Sequence, residues 1–102
     1  MTQFSEQVFL VIKNIPRGKV CTYAGVAKAL GKPRAVRAIG NILKKNKQLI
    51  IVPCHRVIKS NGEVGGYVKG NKSKKQLLKK EGIIIKNNKI DLNNYFIELN
   101  KI

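Results

Sequence analysis

The fold is decided by residues 22–45, which read TYAGVAKALGKPRAVRAIGNILKK. Thr22 is a typical N-cap for a helix over Tyr23–Leu30. Gly31 suits the C′ position that ends this helix, and Pro33 suits the first turn of a second helix over Arg34–Lys45. Two helices joined by about four residues that include a glycine have the form of a helix-turn-helix. The stretch therefore predicts a helical domain of the winged helix-like type.

Shorter patterns on either side predict the remaining elements. Apolar spacing over residues 3–14 predicts an amphipathic helix, and the apolar run 49–52 predicts a buried strand. Ser73 begins a capping-box pattern for a helix that ends at Glu81-Gly82. Residues 83–90 predict a small hairpin, whereas residues 91–100 fit either a last helix or a fraying tail. Because 102 residues suffice for about one domain, we expect a mostly α single domain over 1–102 with a small β component and no separate N-terminal domain.

The second predicted helix divides into an apolar and a basic face. On a wheel of about 100° per residue, one arc carries Ala35, Val36, Ile39, Ile42 and Leu43. Because the other arc has no acidic partner and a small residue within it, it favours a DNA-binding face over a merely solvated one. The predicted DNA-binding residues on this arc are Arg34, Arg37, Ala38, Asn41, Lys44 and Lys45.

The charge of the chain points the same way. It carries 21 Lys and Arg against 5 Asp and Glu, a formal charge of +16, and residues 7–62 contain no acidic residue. Such a field costs a compact protein free energy through self-repulsion, which a polyanionic partner relieves. The alternative is a lysine-rich surface of the thermophilic kind, but those surfaces normally balance Lys with Glu.

The two cysteines, Cys21 and Cys54, do not make a disulfide framework. We find no signal peptide and no apolar stretch near the ~20 residues of a membrane span. We therefore expect a soluble protein of the reducing cell interior, with no membrane partner. One histidine and two cysteines without CxxC spacing predict no metal site.

The pentapeptide 53–57, PCHRV, places one of these thiols beside the only histidine. Cys54 can act as a nucleophile if His55 accepts its proton. Neighbours on an extended backbone point to opposite sides, so a turn or a bridging water is needed. A histidine in such a relay needs an orienting carboxylate, and Glu81 is the best-placed candidate. The alternative is an inert core cysteine beside a core histidine.

The pentapeptide resembles the active-site signature of the O6-alkylguanine-DNA alkyltransferases, also called methylated-DNA–protein-cysteine methyltransferases. The resemblance covers roughly residues 4–85. Besides the pentapeptide, the segments that carry it are Gly18–Tyr23, Pro33–Gly40, Asn46, Gly65–Tyr67 and Glu81-Gly82.

The resemblance implies single-turnover DNA repair without a cofactor. Cys54 would take the alkyl group of O6-alkylguanine, and of O4-alkylthymine, in duplex DNA. His55 would activate it through a water, Glu81 would hold His55, and Asn46 would brace the turn around the site. The implied protein acts as a monomer in the cytoplasm, or in the nucleus of a eukaryote.

The resemblance also implies how the lesion is reached. The helix-turn-helix would enter the minor groove, and the damaged base would be flipped out of the stack. Tyr23 would push on the phosphate backbone and contact the flipped guanine, while Arg37 would take the place of the base. The implied base pocket consists of Val57, Tyr67, Val68, Lys69 and Gly70.

The chain departs from the family pattern in the glycine-rich loop. Lys69 replaces a glycine, and Val68 stands where some members have a hydroxyl residue. These two differences mean that the resemblance does not determine the width of the base pocket.

Three other classes compete with this interpretation. A non-enzymatic alkyltransferase-like protein would bind alkylated DNA and recruit repair factors, although that class usually carries Trp at the nucleophile position and this chain has none. A winged-helix regulator would leave the joint occurrence of Asn46, the pentapeptide and Glu81 unexplained. A cysteine hydrolase lacks a visible oxyanion hole.

Overall fold

The computed structural model describes residues 3–47 and 51–99. Helices dominate these ranges, and the strands are only two residues long. The elements in chain order are α1 (Gln3–Ile12), β1 (Cys21–Thr22), α2 (Tyr23–Ala29), α3 (Val36–Lys44), a 3₁₀ turn (Cys54–Arg56), β2 (Val57–Ile58), α4 (Asn71–Lys80), β3 (Ile85–Lys86), β4 (Lys89–Ile90) and α5 (Leu92–Tyr95). The predicted mostly α fold with a small β component is confirmed.

The helix-turn-helix forms where the sequence predicts it, with one shift. Thr22 Oγ1 accepts a hydrogen bond from Gly25 N at 2.9 Å and caps α2. Gly31 has φ +70°, the left-handed conformation expected after a helix. The second helix begins at Val36 rather than at Arg34, because Ala35 N donates to Lys32 O and closes a turn that contains Pro33.

Two short sheets frame the domain. β1 pairs in parallel with β2, with Cys21 opposite Val57. β3 pairs antiparallel with β4, which confirms the predicted hairpin. Asn87 and Asn88 join these strands at φ +52° and +63°, as a tight hairpin turn of type I′ requires.

The predicted start of the fourth helix is wrong, and the strand predicted before Cys54 is only partly within the described residues. The fourth helix begins at Asn71, and its N-cap is Gly70 at φ +96°, so Ser73 lies inside the helix and caps nothing. The predicted strand 49–52 lies partly outside the described residues. Of its described part, Ile51 is in a turn and 68% exposed, and only Val52 is buried. Cys54 begins a 3₁₀ turn that leads into β2.

The core has two parts. A larger cluster packs α1, α2 and α3 against β1 and the Cys54 turn. A smaller cluster joins Val20, Ile58 and Val64 to α4 and the hairpin. After α5 the chain returns to β1, where Val20 N donates to Tyr95 O and Ile97 N donates to Val20 O, both at 2.9 Å. The segment after residue 90 is thus one short helix followed by a backbone pairing with Val20.

Candidate active site

The predicted basic face lies on the solvent side of α3. Ile39 and Leu43 are buried against the core. Val36, which the wheel assigns to the core, is instead 38% exposed and lines the cleft that contains Cys54. The predicted DNA-binding residues of this face are all exposed: Arg34, Arg37, Ala38, Asn41, Lys44 and Lys45.

Cys54 lies at the start of the 3₁₀ turn and is 4% exposed. Asn46 Nδ2 donates to Cys54 Sγ at 3.4 Å and to Val52 O at 3.2 Å. The amide of Asn46 therefore links the sulfur to the backbone just before the turn. This contact brings together two residues that the sequence assigns to one site.

His55 and Glu81 meet directly beneath this turn. His55 Nε2 lies 3.0 Å from Glu81 Oε2, and both side chains are almost fully buried. Arg56 Nε and Nη2 donate to the two oxygens of Glu81 at 3.0 and 2.7 Å. Arg56 Nη1 also donates to Ile15 O at 2.8 Å. Arg56 thus orients the carboxylate that orients His55, a role that the sequence does not reveal.

The electrostatics of this cluster keep His55 neutral. Burial lowers the pKa of His55, although the hydrogen bond to Glu81 raises it in part. Burial acts to raise the pKa of Glu81, but the hydrogen bonds from Arg56 and His55 outweigh it and lower that pKa. An ionised Glu81 therefore accepts the Nε2–H of a neutral imidazole. Nδ1 is then left with a lone pair, and it is buried without a hydrogen-bond partner among the described residues.

Cys54 is protonated in the resting protein. Burial raises its pKa, while the hydrogen bond from Asn46 and the charge of Lys74 lower it in part. Burial raises the pKa of Cys21 to about 11, so this second thiol is inert at neutral pH. Only Cys54 combines a cleft position with a nearby base.

A cleft of about 420 Å³ opens over the sulfur of Cys54. Helices α2 and α3 form one wall, and the loop 65–68 forms the other. The lining residues are Tyr23, Val36, Gly40, Leu43, Lys44, Cys54, Lys59, Gly66, Tyr67 and Val68. The volume lies within the range of small-molecule pockets in proteins.

The structure brings only part of the predicted base pocket to this cleft. Tyr67 and Val68 line it, whereas Lys69 faces a separate groove beside α4. Val57 is fully buried behind the cleft, and Gly70 caps α4. Position in a loop does not determine which side chain faces inward. The sequence therefore could not show which residues of this loop line the cleft and which, like Lys69, face away from it.

Lys74 belongs to the site and was missed. Its side chain is fully buried, and its Nζ donates to Val57 O at 2.6 Å and to Gly66 O at 3.0 Å. Lysine is rarely buried, and Lys74 is one of three lysines in the run 72–75, so composition gives no signal. The spacing Lys74–Leu78–Glu81 is the available signal, because it places all three residues on one helix face.

Within residues 3–47 and 51–99, no helix is long and apolar enough to cross a membrane. Within the same ranges, no group of three or more His, Cys, Asp or Glu side chains could hold a metal ion.

Similarity to known proteins agrees with the geometry. The profile of the 6-O-methylguanine DNA methyltransferase, DNA binding domain, matches residues 3–83. The chain belongs to this methyltransferase family. A methylated-DNA–protein-cysteine methyltransferase of Methanosarcina acetivorans is 47% identical over 81 residues, which are 79% of this chain and 52% of that protein. This chain thus spans about half the length of that curated relative.

Solved structures of similar proteins show the same fold. S. pombe Atl1, in complex with damaged DNA containing O6-carboxymethylguanine, superimposes with a TM-score of 0.86 at 30% identity and covers 95% of this chain and 96% of its own. Mycobacterium tuberculosis OGT in complex with DNA gives a TM-score of 0.78 at 39% identity, with 80% of this chain and 50% of that chain covered.

Proposed function

We propose that this chain repairs alkylated DNA by moving the alkyl group of O6-alkylguanine, and of O4-alkylthymine, to Cys54. The observation that supports this most is that the cleft thiol of Cys54 is followed directly in the chain by a neutral histidine whose Nε2 is fixed by Glu81. His55 Nδ1 has no hydrogen-bond partner among the described residues, so its lone pair would accept the thiol proton through a bridging water.

The reaction balances without a cofactor. Cys54 Sγ attacks the alkyl carbon, so an S–C bond forms while the bond from that carbon to O6 breaks. The thiol proton passes to His55 and then to the dealkylated guanine, which regains its ordinary protonation and stays in the DNA. Because no group in the described site can displace the resulting thioether, each protein molecule acts once.

The exposed basic face of α3 supports DNA as the substrate. Arg37 lies on this face and Tyr23 lines the cleft, so the two flank the path of a base leaving the duplex. We propose that the face binds the minor groove of double-stranded DNA and that Arg37 takes the place of the flipped base. The chemistry needs this step, because O6 lies inside the stacked duplex. No second subunit is needed, so the proposed protein is a monomer acting where cellular DNA is held.

The test is transfer of label from a duplex that carries O6-methylguanine with a labelled methyl group. Intact mass should show one added methyl group, and peptide mapping should place it on Cys54. Cys54→Ser should abolish transfer while DNA binding persists, and Cys21→Ser is the matched control that should still transfer. Multiple turnovers, or label on Cys21, would refute the proposal.

A second candidate is an alkyltransferase-like role, in which the protein binds alkylated DNA and recruits repair factors without transfer. The similarity to S. pombe Atl1 over 95% of this chain favours it. The same assay separates the two functions, because this role predicts tight binding to the alkylated duplex with no label on the protein.

A further inference from the structure

Two exposed lysines give the cleft over Cys54 a positive charge. Lys44 and Lys59 both line this cleft, and none of its described lining residues is acidic. Lys44 belongs to the basic face of α3, which is proposed to bind DNA. Lys59 lies outside that face, directly after β2, and the proposed reaction gives it no role.

The backbone around Lys59 determines where its side chain runs. Lys59 N donates to Glu63 O, and Gly62 N donates to Lys59 O, both at 2.9 Å. The stem of Lys59 lies along Gly65, where an added Cβ atom would be 3.4 Å from Lys59 Cγ and 3.8 Å from Lys59 Cε. Gly65 begins the loop 65–68 that forms one cleft wall. The methylene stem therefore covers this wall, and the ammonium group is free to face the cleft.

No carboxylate neutralises Lys59 within the described ranges. Glu63, the nearest acidic residue in the chain, accepts a hydrogen bond from Asn61 Nδ2 at 2.9 Å. Glu81 is buried and already in an ion pair, and the ion pairs of the described residues do not include Lys59. The charge of Lys59 nevertheless reaches the site, because it lowers the pKa of Lys74. The ammonium group is thus available to a ligand in the cleft.

The other side chains of the cleft are mostly apolar. Val36, Leu43 and Val68 line it together with Lys59. Apolar walls with one cation that lacks an acidic partner are complementary to a short apolar chain that ends in an anion. A carboxyalkyl group has this form, since its methylene carbon can face Cys54 while its carboxylate accepts a charge-assisted hydrogen bond from the ammonium group. A neutral alkyl group displaces water from the ammonium group and offers it no partner.

We propose that Lys59 is a specificity-determining residue that favours O6-carboxyalkylguanine, with carboxymethyl as the simplest case, over guanine with a neutral O6-alkyl group. This preference rests on the proposed alkyl transfer for its biological purpose. In the transfer, Cys54 Sγ forms a bond to the methylene carbon while the bond from that carbon to O6 breaks. The thiol proton passes through His55 to the guanine, and the carboxylate stays ionised beside Lys59.

The test uses two reagents that alkylate Cys54 without DNA and differ in charge. Iodoacetate adds a carboxymethyl group, iodoacetamide adds its neutral counterpart, and each releases iodide. The ratio of the two rates at Cys54, with the product mapped by mass, is measured for wild type, Lys59→Met, Lys59→Glu and Lys59→Arg. Lys86→Met, at an exposed position of the hairpin, is the matched control. Because both reagents react with the same thiolate, a change in the thiolate fraction cancels in this ratio.

The ratio of the iodoacetate rate to the iodoacetamide rate should follow the charge at position 59. It should fall about fivefold in Lys59→Met at low salt, which is the effect of one opposite charge at contact distance in water. Lys59→Glu should lower the ratio further, whereas Lys59→Arg and Lys86→Met should stay near wild type. Added salt should bring the wild-type ratio toward that of Lys59→Met, because salt screens exposed charges. A merely structural role of Lys59 predicts neither the salt dependence nor the rescue by arginine.

A second measurement extends the test to DNA. Single-turnover transfer is compared for duplexes that carry O6-carboxymethylguanine or O6-methylguanine, with wild type and Lys59→Met. The substitution should slow transfer of the carboxymethyl group more than transfer of the methyl group. Equal slowing with both duplexes would assign Lys59 to a phosphate contact and overturn the inference.

The reagent ratio also overturns the inference if it is the same in wild type and in folded Lys59→Met and Lys59→Glu, with folding checked by circular dichroism. In that case transfer of methyl from DNA by wild type would leave the proposed function standing without the preference. If the ratio depends on Lys59 but neither duplex yields an alkylated protein, the proposed function fails and the charge preference of the cleft stands.

Discussion

Replacing Glu81 with Gln tests the network beneath the active site. The substitution keeps the shape of the side chain and removes its charge. Glu81 accepts three hydrogen bonds, two from Arg56 and one from His55. A glutamine has one acceptor oxygen, so its NH₂ group must face a donor of Arg56 or of His55. One charge-assisted hydrogen bond becomes a donor–donor contact, and the others lose their charge assistance.

The expected loss follows from these contacts. A hydrogen bond to a charged group is worth about 1.5–3 kcal/mol, and breaking a buried ion pair costs about 3–5 kcal/mol. Because the side chain of Arg56 is 15% exposed, the loss should be near the lower end, about 3 kcal/mol. In a domain of this size that lowers the melting midpoint by roughly 12–24 °C.

The assay is a thermal melt at neutral pH, followed by circular dichroism. Glu98→Gln is the matched control, since Glu98 pairs with Lys28 at 3.5 Å and both side chains are mostly exposed. Exposed pairs contribute little, so the control should melt near wild type. Equal shifts in the two variants, or no shift in Glu81→Gln, would refute the reasoning.

Acid titration checks the sign of the effect. The pKa of Glu81 is lowered in the folded protein from its ordinary value of 4.5. Its contribution to stability is therefore fully present above pH 4.5 and is lost as the pH falls through the folded value. The difference in stability between wild type and Glu81→Gln should shrink below pH 4.5. A difference that stays constant to lower pH would show that the loss comes from packing and not from charge.

Two further outcomes follow from the proposed reaction. Arg37→Ala should slow transfer from duplex DNA far more than reaction with free O6-alkylguanine base, because only the duplex requires flipping. Lys86→Ala, on the exposed hairpin, is the control variant. Equal slowing with both substrates would contradict the role of Arg37. The protein methylated at Cys54 should melt at least about 5 °C below the unmethylated protein, since a methyl group added to a packed site costs about 1–3 kcal/mol. The hydrogen bond from Asn46 to Sγ is also lost. An unchanged midpoint in a thermal melt without DNA would contradict this prediction.

The helix-turn-helix was predictable because its signals are local. Thr22 caps the helix that follows it, and Gly31 adopts a left-handed conformation that few other residues tolerate. The hairpin was predictable for the same reason, from Asn87-Asn88. By contrast, the start of α4 depends on Gly70 and on the packing of the loop before it, so the capping pattern at Ser73 was misleading.

The site residues were predictable where the chemistry requires a residue type that is rare in this chain. They were not predictable where the residue type is common and packing decides which copy reaches the site. A carboxylate for His55 could be chosen from five acidic residues, and Glu81 is the one the structure brings to it. Lys74 had to be chosen from a lysine-rich chain, and its burial depends on the position of the Gly66 loop. Whether Val57 or Val36 lines the cleft likewise depends on how α3 and β2 pack, which no local pattern encodes.

The backbone hydrogen bonds of Val20 with Tyr95 and Ile97 show that the folded domain extends beyond the residues that the family profile matches. The family profile ends at residue 83, but the backbone of Val20, which is fully buried beside β1, takes its hydrogen bonds from beyond that point. A fragment trimmed to the recognisable homology would keep every predicted catalytic residue and leave Val20 N–H and C=O unsatisfied in an opened core. Domain boundaries for expression or for grafting this site onto another protein should therefore be drawn by backbone pairing, after residue 97, and not by where sequence likeness fades.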